Sequence, residues 1–415
     1  MKGWFEYVRE TCPICDKSGA CIRNAEGDKV ACIRVPSDIP FSKSSTCPSW
    51  LHKVDKESNQ KVEMKNVEQF QSETKRSTKE LDRLYRAIMD CTDLAQHHYE
   101  HLVSDKRQLS DKQIFAREYR SFPQKPWNIV KDIKTMIDED DFTGVPGFYL
   151  ANGRYGSYWN IAASHGILLP FRNQYNQITG YQIRVDNPPN EVEINKRKPE
   201  LKARVKEQPN LVQVLNEDEI LFDTELQLGE SIEVSVDNTL NGMLGWVKLK
   251  KGNRYFWLSS AKKNKGTSSG EPAPVHVSIP SDELREWKIG QLKKAKTVWL
   301  SEGPLKCDIA VDKIKELYSK EELEEVGTTM LALPGVGAWE LALPLLKDME
   351  VEKVNICFDA DAMSNPLVKG HLMNCAKELK KLGYQANLIL WSRQDANGID
   401  DLFLTNKVPN IQKLF

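Results

Sequence analysis

The chain has 415 residues, is 40% hydrophobic and 28% charged, and carries a formal net charge of −1. At roughly 100–200 residues per domain, that length predicts two to four units. The near-neutral charge excludes a polycation, so any nucleic-acid binding has to come from local basic patches.

The opening MKGWFEYVRE lacks the apolar core of a secretory signal. No run approaches the roughly 20 apolar residues of a membrane span, so a soluble, cytoplasmic protein with no membrane partner is expected. Residues 1–53 form the first unit. Five of the nine cysteines fall here: Cys12, Cys15, Cys21, Cys32 and Cys47. So short and apolar-poor a segment buries little core, and a bound ion would staple it. In a cytosolic chain such clustering points to metal before disulfides. Cys12 and Cys15, two residues apart, have the spacing of a zinc knuckle. Cys32 is the expected third ligand. For the fourth, His52 is preferred and Cys21 is the alternative, with Cys47 behind them. Cys91, Cys307, Cys357 and Cys375 read as small buried apolar side chains.

Residues 54–80 are polar and weakly periodic, and read as a linker. Residues 81–160 form a helical segment. Leu81, Leu84, Tyr85, Ile88 and Met89 recur at three- and four-residue spacing. A second helix starts after Ser110, a third covers Ile129–Ile137, and Thr143–Gly156 reads as loop. His97, His98 and His101 fall together in HHYEH. With no carboxylate nearby other than Glu100, they read as a solvated helix face rather than a metal site.

Over residues 161–290 the period changes to that of strands. Ile167–Phe171 and Ile178–Val185 read as two strands joined by a polar turn, and Tyr255–Leu258 as another. The insert between Asn187 and Lys251 carries a basic run (Lys196, Arg197, Lys198, Lys202, Arg204, Lys206) and short strands near Glu233 and Val247. Tyr255 and Trp257 offer faces on which bases would stack.

Residues 291–415 alternate strand and helix. Thr297–Leu300, Met330–Leu333, Val354–Phe358 and Asn387–Trp391 are short apolar runs. Helical patterns at Leu305–Tyr318, Trp339–Lys347 and Leu367–Leu382 lie between them. This alternation predicts a parallel sheet with right-handed crossovers. Glu302 follows the first strand, Asp359 and Asp361 the third, and Asp400 and Asp401 the fourth. Ligands of open parallel sheets bind beyond the carboxyl ends of strands, so these acids should converge. A single acid there is equally a helix cap. As a set they need a neutralising divalent cation, and magnesium (or manganese) with oxygen ligands is the natural occupant.

The segments SEG, PGVGAW and FDADA, in this order, resemble the TOPRIM domain of topoisomerases, primases and related nucleases over about 110 residues. The resemblance implies that Glu302 is the catalytic or metal-organising glutamate and that Asp359 and Asp361 are metal ligands. Asp400 would match a late acidic motif of primases. Lys306, one turn along the helix after Glu302, is placed to touch a phosphate, the alternative being a solvated helix lysine. The usual glycine after the second acid of FDADA is absent, since Ala362 and Met363 follow. Upstream, LLPFRNQYNQITGYQIRVD and NRYFWLSSAKKNKGTSSG resemble the strand-rich half of bacterial primases. That likeness implies that Arg172, Arg184 and Lys265 line a groove for template or nucleotide phosphates. The order of C-x2-C, Cys32 and WLH resembles the zinc module of primase-like proteins of phages and mobile elements.

The architecture implied is multidomain α+β. A zinc ribbon-like module and a helical segment precede a mixed α/β primase core that ends in a TOPRIM domain on a parallel sheet. The function implied is a DNA primase, a nucleotidyltransferase using magnesium and zinc. Its partners would be single-stranded DNA, nucleoside triphosphates and a separately encoded helicase, since no P-loop motif is fused here. Two other readings use the same residues: a TOPRIM nuclease, and a non-catalytic DNA-binding replication accessory.

Overall fold

Short β-prone stretches between the cysteines make the first unit a small antiparallel sheet. Its strands are β1 (Trp4–Glu6), β2 (Ile22–Asn24), β3 (Lys29–Cys32), β4 (Pro40–Ser42) and β5 (Ser49–Lys53), in the order β1-β2-β3-β5-β4. The structure is a computed structural model. It describes residues 4–7, 11–15, 21–25, 27–35, 37, 39–42, 49–54, 71–154, 156–236, 242–270, 272–360 and 365–415. Cys47, Asp361 and most of the expected linker lie outside the described residues.

The end of that linker is extended and docked. Lys75 donates to the carbonyls of Ser269 (2.7 Å) and Pro272 (2.9 Å). Helices α1 (Thr78–Asp90), α2 (Gln96–Val103), α3 (Asp111–Arg117) and α4 (Pro126–Ile137) follow, with β6 (Arg120–Ser121) after α3. Capping boxes at Ser77–Glu80 and Ser110–Gln113 start α1 and α3. The expected loop at Thr143–Gly156 is instead largely a hairpin, β7 (Phe148–Gly153) with β8 (Gly156–Ile161). Phe148 stacks on Phe142 at 4.6 Å, and Trp159 meets Phe142 edge-on at 5.7 Å. This aromatic burial outweighs the turn-like composition that suggested a loop.

Strands β9 (Gly166–Arg172) and β10 (Ile178–Val185) form the expected hairpin. The insert is two three-stranded antiparallel sheets. One is β11 (Glu191–Lys196), β16 (Met243–Lys250) and β15 (Ser231–Ser235); the other is β12 (Leu201–Glu207), β13 (Leu211–Asn216) and β14 (Glu219–Glu225). Valines and leucines of both sheets share one small core. Then β17 (Tyr255–Trp257) returns to pair with β10, giving the order β17-β10-β9-β6.

The last unit begins with β18 (His276–Ser278) and α5 (Ser281–Glu286). There follow β19 (Thr297–Glu302), α6 (Pro304–Leu317), α7 (Lys320–Val326), β20 (Thr329–Leu333), α8 (Leu343–Asp348), β21 (Lys353–Ile356), α9 (Pro366–Lys381), β22 (Gln385–Leu390), α10 (Ile399–Leu404) and β23 (Asn410–Lys413). The sheet order is β18-β20-β19-β21-β22-β23. The four strands foreseen pair in parallel; β18 and β23 add antiparallel edges. The helix expected at Trp339–Lys347 is a 3-10 turn, Val336–Ala342, continued by α8. One core packs on each sheet face. No helix among the described residues is long and apolar enough to cross a membrane.

Candidate functional site

Gly303 joins β19 to α6. Its φ of 81° is a conformation L side chains rarely adopt, and it lets the chain turn sharply from strand to helix. The turn leaves half-buried Glu302 at the strand end and sets Lys306 in the first turns of α6. Asp359 lies three residues beyond β21, and the Lys306 ammonium donates to its Oδ1 at 2.5 Å. Burial opposes the charge on Lys306. Asp359 first, then Asp400 and Glu302, outweigh it and hold the ammonium pKa well above the usual lysine range. Asp359 thus contacts Lys306 at the carboxyl edge of the sheet, and Asp400 and Glu302, 98 positions apart in sequence numbering (400 − 302), lie within electrostatic reach of the same ammonium.

Asp400 sits in the first turn of α10 and is nearly fully buried. Its helix is anchored by Phe403, which meets Trp299 of β19 edge-on at 6.3 Å. A Cβ at Gly398 would lie 2.5 Å from Asp400 Oδ1 and 3.3 Å from Lys306 Cε, so a larger residue there would displace both side chains. Burial, with Asp401 beside it, pushes the Asp400 pKa up, while Lys306 and Arg107 pull it down. Arg107, beyond α2, donates to Asp400 Oδ2 at 2.9 Å. Among the described residues, the acids do not gather their oxygens into one tight group; chain cations stand between them. As a donor set, carboxylates at a strand edge suit a divalent cation that also takes phosphate oxygens.

Arg107 belongs to a wider basic group. Arg184 of β10 is 8% exposed, and burial together with Arg107 and Arg254 pushes its pKa down, while Tyr255 on the paired strand supports its charge. Burial, Arg184, Arg107 and Arg254 push the His101 pKa down to about 4. Three buried nitrogens here have no hydrogen-bond partner: His101 Nε2, Arg107 Nε and Arg184 Nε. Arg107 and Arg184, each with an unspent buried donor, crowd a neutral His101, and an anion between them would offset their mutual repulsion. Sequence reading found Arg184 but missed Arg107 and His101, which come from the helical segment.

The other expected groove residues are placed differently. Arg172 does not line a groove. It is 2% exposed and donates to Glu118 Oε2 at 2.5 Å and Asn176 Oδ1 at 3.2 Å. Its position at the end of a wholly buried strand carries it inside, where the guanidinium has to be paired. Lys265 is exposed on the 259–274 loop, with Asp141 within electrostatic reach. The Trp257 ring packs on Phe171 at 4.5 Å, an internal contact.

A second charged network, unforeseen, lies on α6 two residues after Lys306. Asp308 is 3% exposed. Its Oδ1 accepts from Arg117 (2.9 Å), His276 Nε2 (3.1 Å) and Ser278 (2.5 Å), and its Oδ2 from Tyr119 (2.7 Å). His276 Nδ1 accepts the Arg172 backbone N–H at 3.0 Å, so Nε2 carries the proton given to Asp308. Arg117 also reaches Asp312 Oδ2 at 3.0 Å. This cluster locks the helical segment and β9 to the last unit.

In the first unit, Cys12, Cys15, Cys21 and Cys32 bring their sulfurs within 4.8 Å of one another. Backbone N–H groups of Arg34 and Val35 point at Cys32 Sγ at 3.4 and 3.3 Å. Four thiols so arranged fit tetrahedral zinc. The preferred fourth ligand, His52, is corrected: Cys21, the alternative, completes the set. Strand pairing sets His52 against Val30, and its Nε2 lies 2.9 Å from the Val35 carbonyl.

Residues 320–409 match a family described as a domain of unknown function (DUF3854). No curated protein matches the sequence. Among solved structures, the chain is similar to the zinc-binding and RNA polymerase domains of Aquifex aeolicus primase, at 11% identity and a TM-score of 0.39, covering 98% of this chain and 81% of that one. It is also similar to the RNA polymerase domain of Mycobacterium tuberculosis primase DnaG, at 11% identity and a TM-score of 0.41, covering 80% of this chain and 83% of that one. A DNA primase domain from Pseudomonas aeruginosa gives 12% identity and a TM-score of 0.40, with 80% of each chain covered.

Proposed function

We propose that this chain is a TOPRIM-type DNA primase, a metal-dependent nucleotidyltransferase that makes short primers on single-stranded DNA for a phage or mobile element. The observation that carries the reading is the Lys306–Asp359 pair, with Asp400 and Glu302 within electrostatic reach of the same ammonium, beside the unspent nitrogens of Arg107, Arg184 and His101. Carboxylates and phosphate-binding cations side by side are what transfer of a nucleotide from its triphosphate requires. Asp361 is assigned to the same acid set from its sequence motif. Magnesium held by these acids would neutralise charge on the triphosphate and the departing pyrophosphate. Arg107 and Arg184 would orient the phosphates, and Lys306 would move from Asp359 to a phosphate oxygen. The thiolate module would hold zinc and, with exposed Lys265, help track the template. The partner helicase would be a separate polypeptide.

The test is primer synthesis on mixed-sequence single-stranded DNA with labelled nucleoside triphosphates and magnesium, wild type beside Asp359→Ala. Short labelled products from wild type alone support the reading. Template degradation by wild type alone replaces it with a TOPRIM nuclease. Intact template and no product, with helicase added, leaves the DNA-binding accessory.

A further inference from the structure

The structure brings His97, His98 and Asp186 together. In sequence HHYEH has no suitable carboxylate near it; in the fold the missing acid arrives from the end of the β9–β10 hairpin. Adjacent residues of a helix normally diverge. Here the two imidazole centroids are 4.0 Å apart, and both rings face one carboxylate. His98 Nε2 lies 2.6 Å from Asp186 Oδ1, and His97 Nε2 lies 3.8 Å from Oδ2. One ligand atom from each of the three falls within 4.8 Å of the others. Two ligands about 2.0–2.1 Å from a tetrahedral ion stand about 3.3 Å apart, and the two observed separations bracket that value.

The surroundings are built for such a site. His98 is buried, and its Nδ1 lies 2.6 Å from Ser121 Oγ, which also accepts the Ala95 backbone N–H at 2.7 Å. A partner on the far ring nitrogen is how metal-binding histidines are held in orientation and tautomer. All three residues line a cavity of about 710 Å³, which His165 also faces. The cavity lies between the thiolate unit, which contributes Arg34 and Trp50, and the core.

We propose that His97, His98 and Asp186 bind a second transition-metal ion, of the zinc or cobalt type, with its remaining coordination position open to this cavity. Two imidazoles and one carboxylate select such ions over magnesium, which prefers oxygen alone. The site is separate from the thiolate cluster and from the acids on the large sheet, and it stands whether or not the chain makes primers.

The experiment titrates Co2+ into the full-length chain with its thiolate zinc in place and excess magnesium present to occupy the carboxylates. Bound metal is counted after desalting, and visible absorption is recorded. Wild type should take up one further equivalent of cobalt, with d–d bands and no thiolate charge-transfer band. His97→Ala and Asp186→Asn should each lose that equivalent. The His97 side chain is 65% exposed, so its removal leaves the fold intact. No extra equivalent in wild type, or full uptake by His97→Ala, would overturn the proposal and leave a hydrogen-bonded Ser121–His98–Asp186 chain.

Discussion

Lys306 and Asp308 are two residues apart on α6 and anchor two charged networks of opposite character. Around Asp308 every carboxylate oxygen is used, and among its partners only Arg117 Nε lacks an acceptor. Around Lys306 and Asp400, three buried nitrogens are unspent, and acids are held by chain cations rather than by a full set of fixed donors. A completed network returns its desolvation cost as rigidity between units. An incomplete one stores that cost until a ligand arrives. The difference separates a structural joint from a candidate binding site on a single helix.

Removing one partner from the completed network should produce the largest effect. Asp308→Ala strands the Arg117 guanidinium, 2% exposed, without its main counter-charge. Breaking a buried pair this way costs about 3–5 kcal/mol. Chemical denaturation should show that loss; a change under about 1 kcal/mol would mean that solvent reaches Arg117 and that the joint is not closed. Asp359→Ala should do the reverse. It removes a partly buried acid, 17% exposed, from a Lys306 that keeps Asp400 and Glu302 within electrostatic reach, so the loss of stability should be smaller than for Asp308→Ala. Primer synthesis should fall by about 10²–10³-fold, as when one stabilising group is lost from a transition state. A variant that unfolds as readily as Asp308→Ala would erase the distinction between the two networks.

Acid should act on the joint with a defined sign. Burial alone would raise the Asp308 pKa, but Arg117, His276 and Ser278 outweigh it and hold the carboxyl well below the usual range. Unfolded, it titrates near about 3.9. Its contribution to stability is therefore complete above that value. As pH drops toward the lower folded pKa, the unfolded chain takes up the proton first, and stability falls by up to about 1.4 kcal/mol per pH unit. Comparison of wild type with Asp308→Asn between pH 5 and pH 2 isolates this slope. Equal slopes in the two proteins would assign the acid sensitivity to other carboxylates.

Much of the last unit was legible because its signals are local. Apolar runs of strand length, glycines at strand ends and acids behind them placed four parallel strands and the sheet edge on which Glu302 and Asp359 lie. What escaped was produced by pairing over long separations. Nothing near Asp308 in sequence announces Arg117, 191 positions away. Asp186 lies 88 positions from His98, and Arg107 lies 293 from Asp400. Arg172 was misjudged for the same reason: its motif suggested phosphate, but strand burial committed it to Glu118. The fourth zinc ligand was a choice among His52, Cys21 and Cys47, and the folding of β2 onto β3 brings Cys21 beside Cys32. The insert defeated sequence reading because strands such as β14 are exposed along most of their length and lack clean alternation.

The smallest expected effect is also the most local test of the incomplete network. The His101 pKa is held at about 4 by burial and by Arg184, Arg107 and Arg254, and its Nε2 has no partner. An anion bound among those arginines would cancel part of their repulsion and offer Nε2 an acceptor, and both changes favour the imidazolium. A nucleoside triphosphate added without magnesium should therefore raise the His101 pKa by about one unit or more, seen by NMR titration of the imidazole C–H resonances. The buried His98, hydrogen-bonded to Ser121 and Asp186, serves as the internal control. If His101 does not move while the triphosphate binds, the phosphates lie elsewhere, and the unspent donors of Arg107 and Arg184 would belong to template contact instead. If it moves in wild type but not in Arg184→Ala, the anion site is built by the hairpin and the helical segment together.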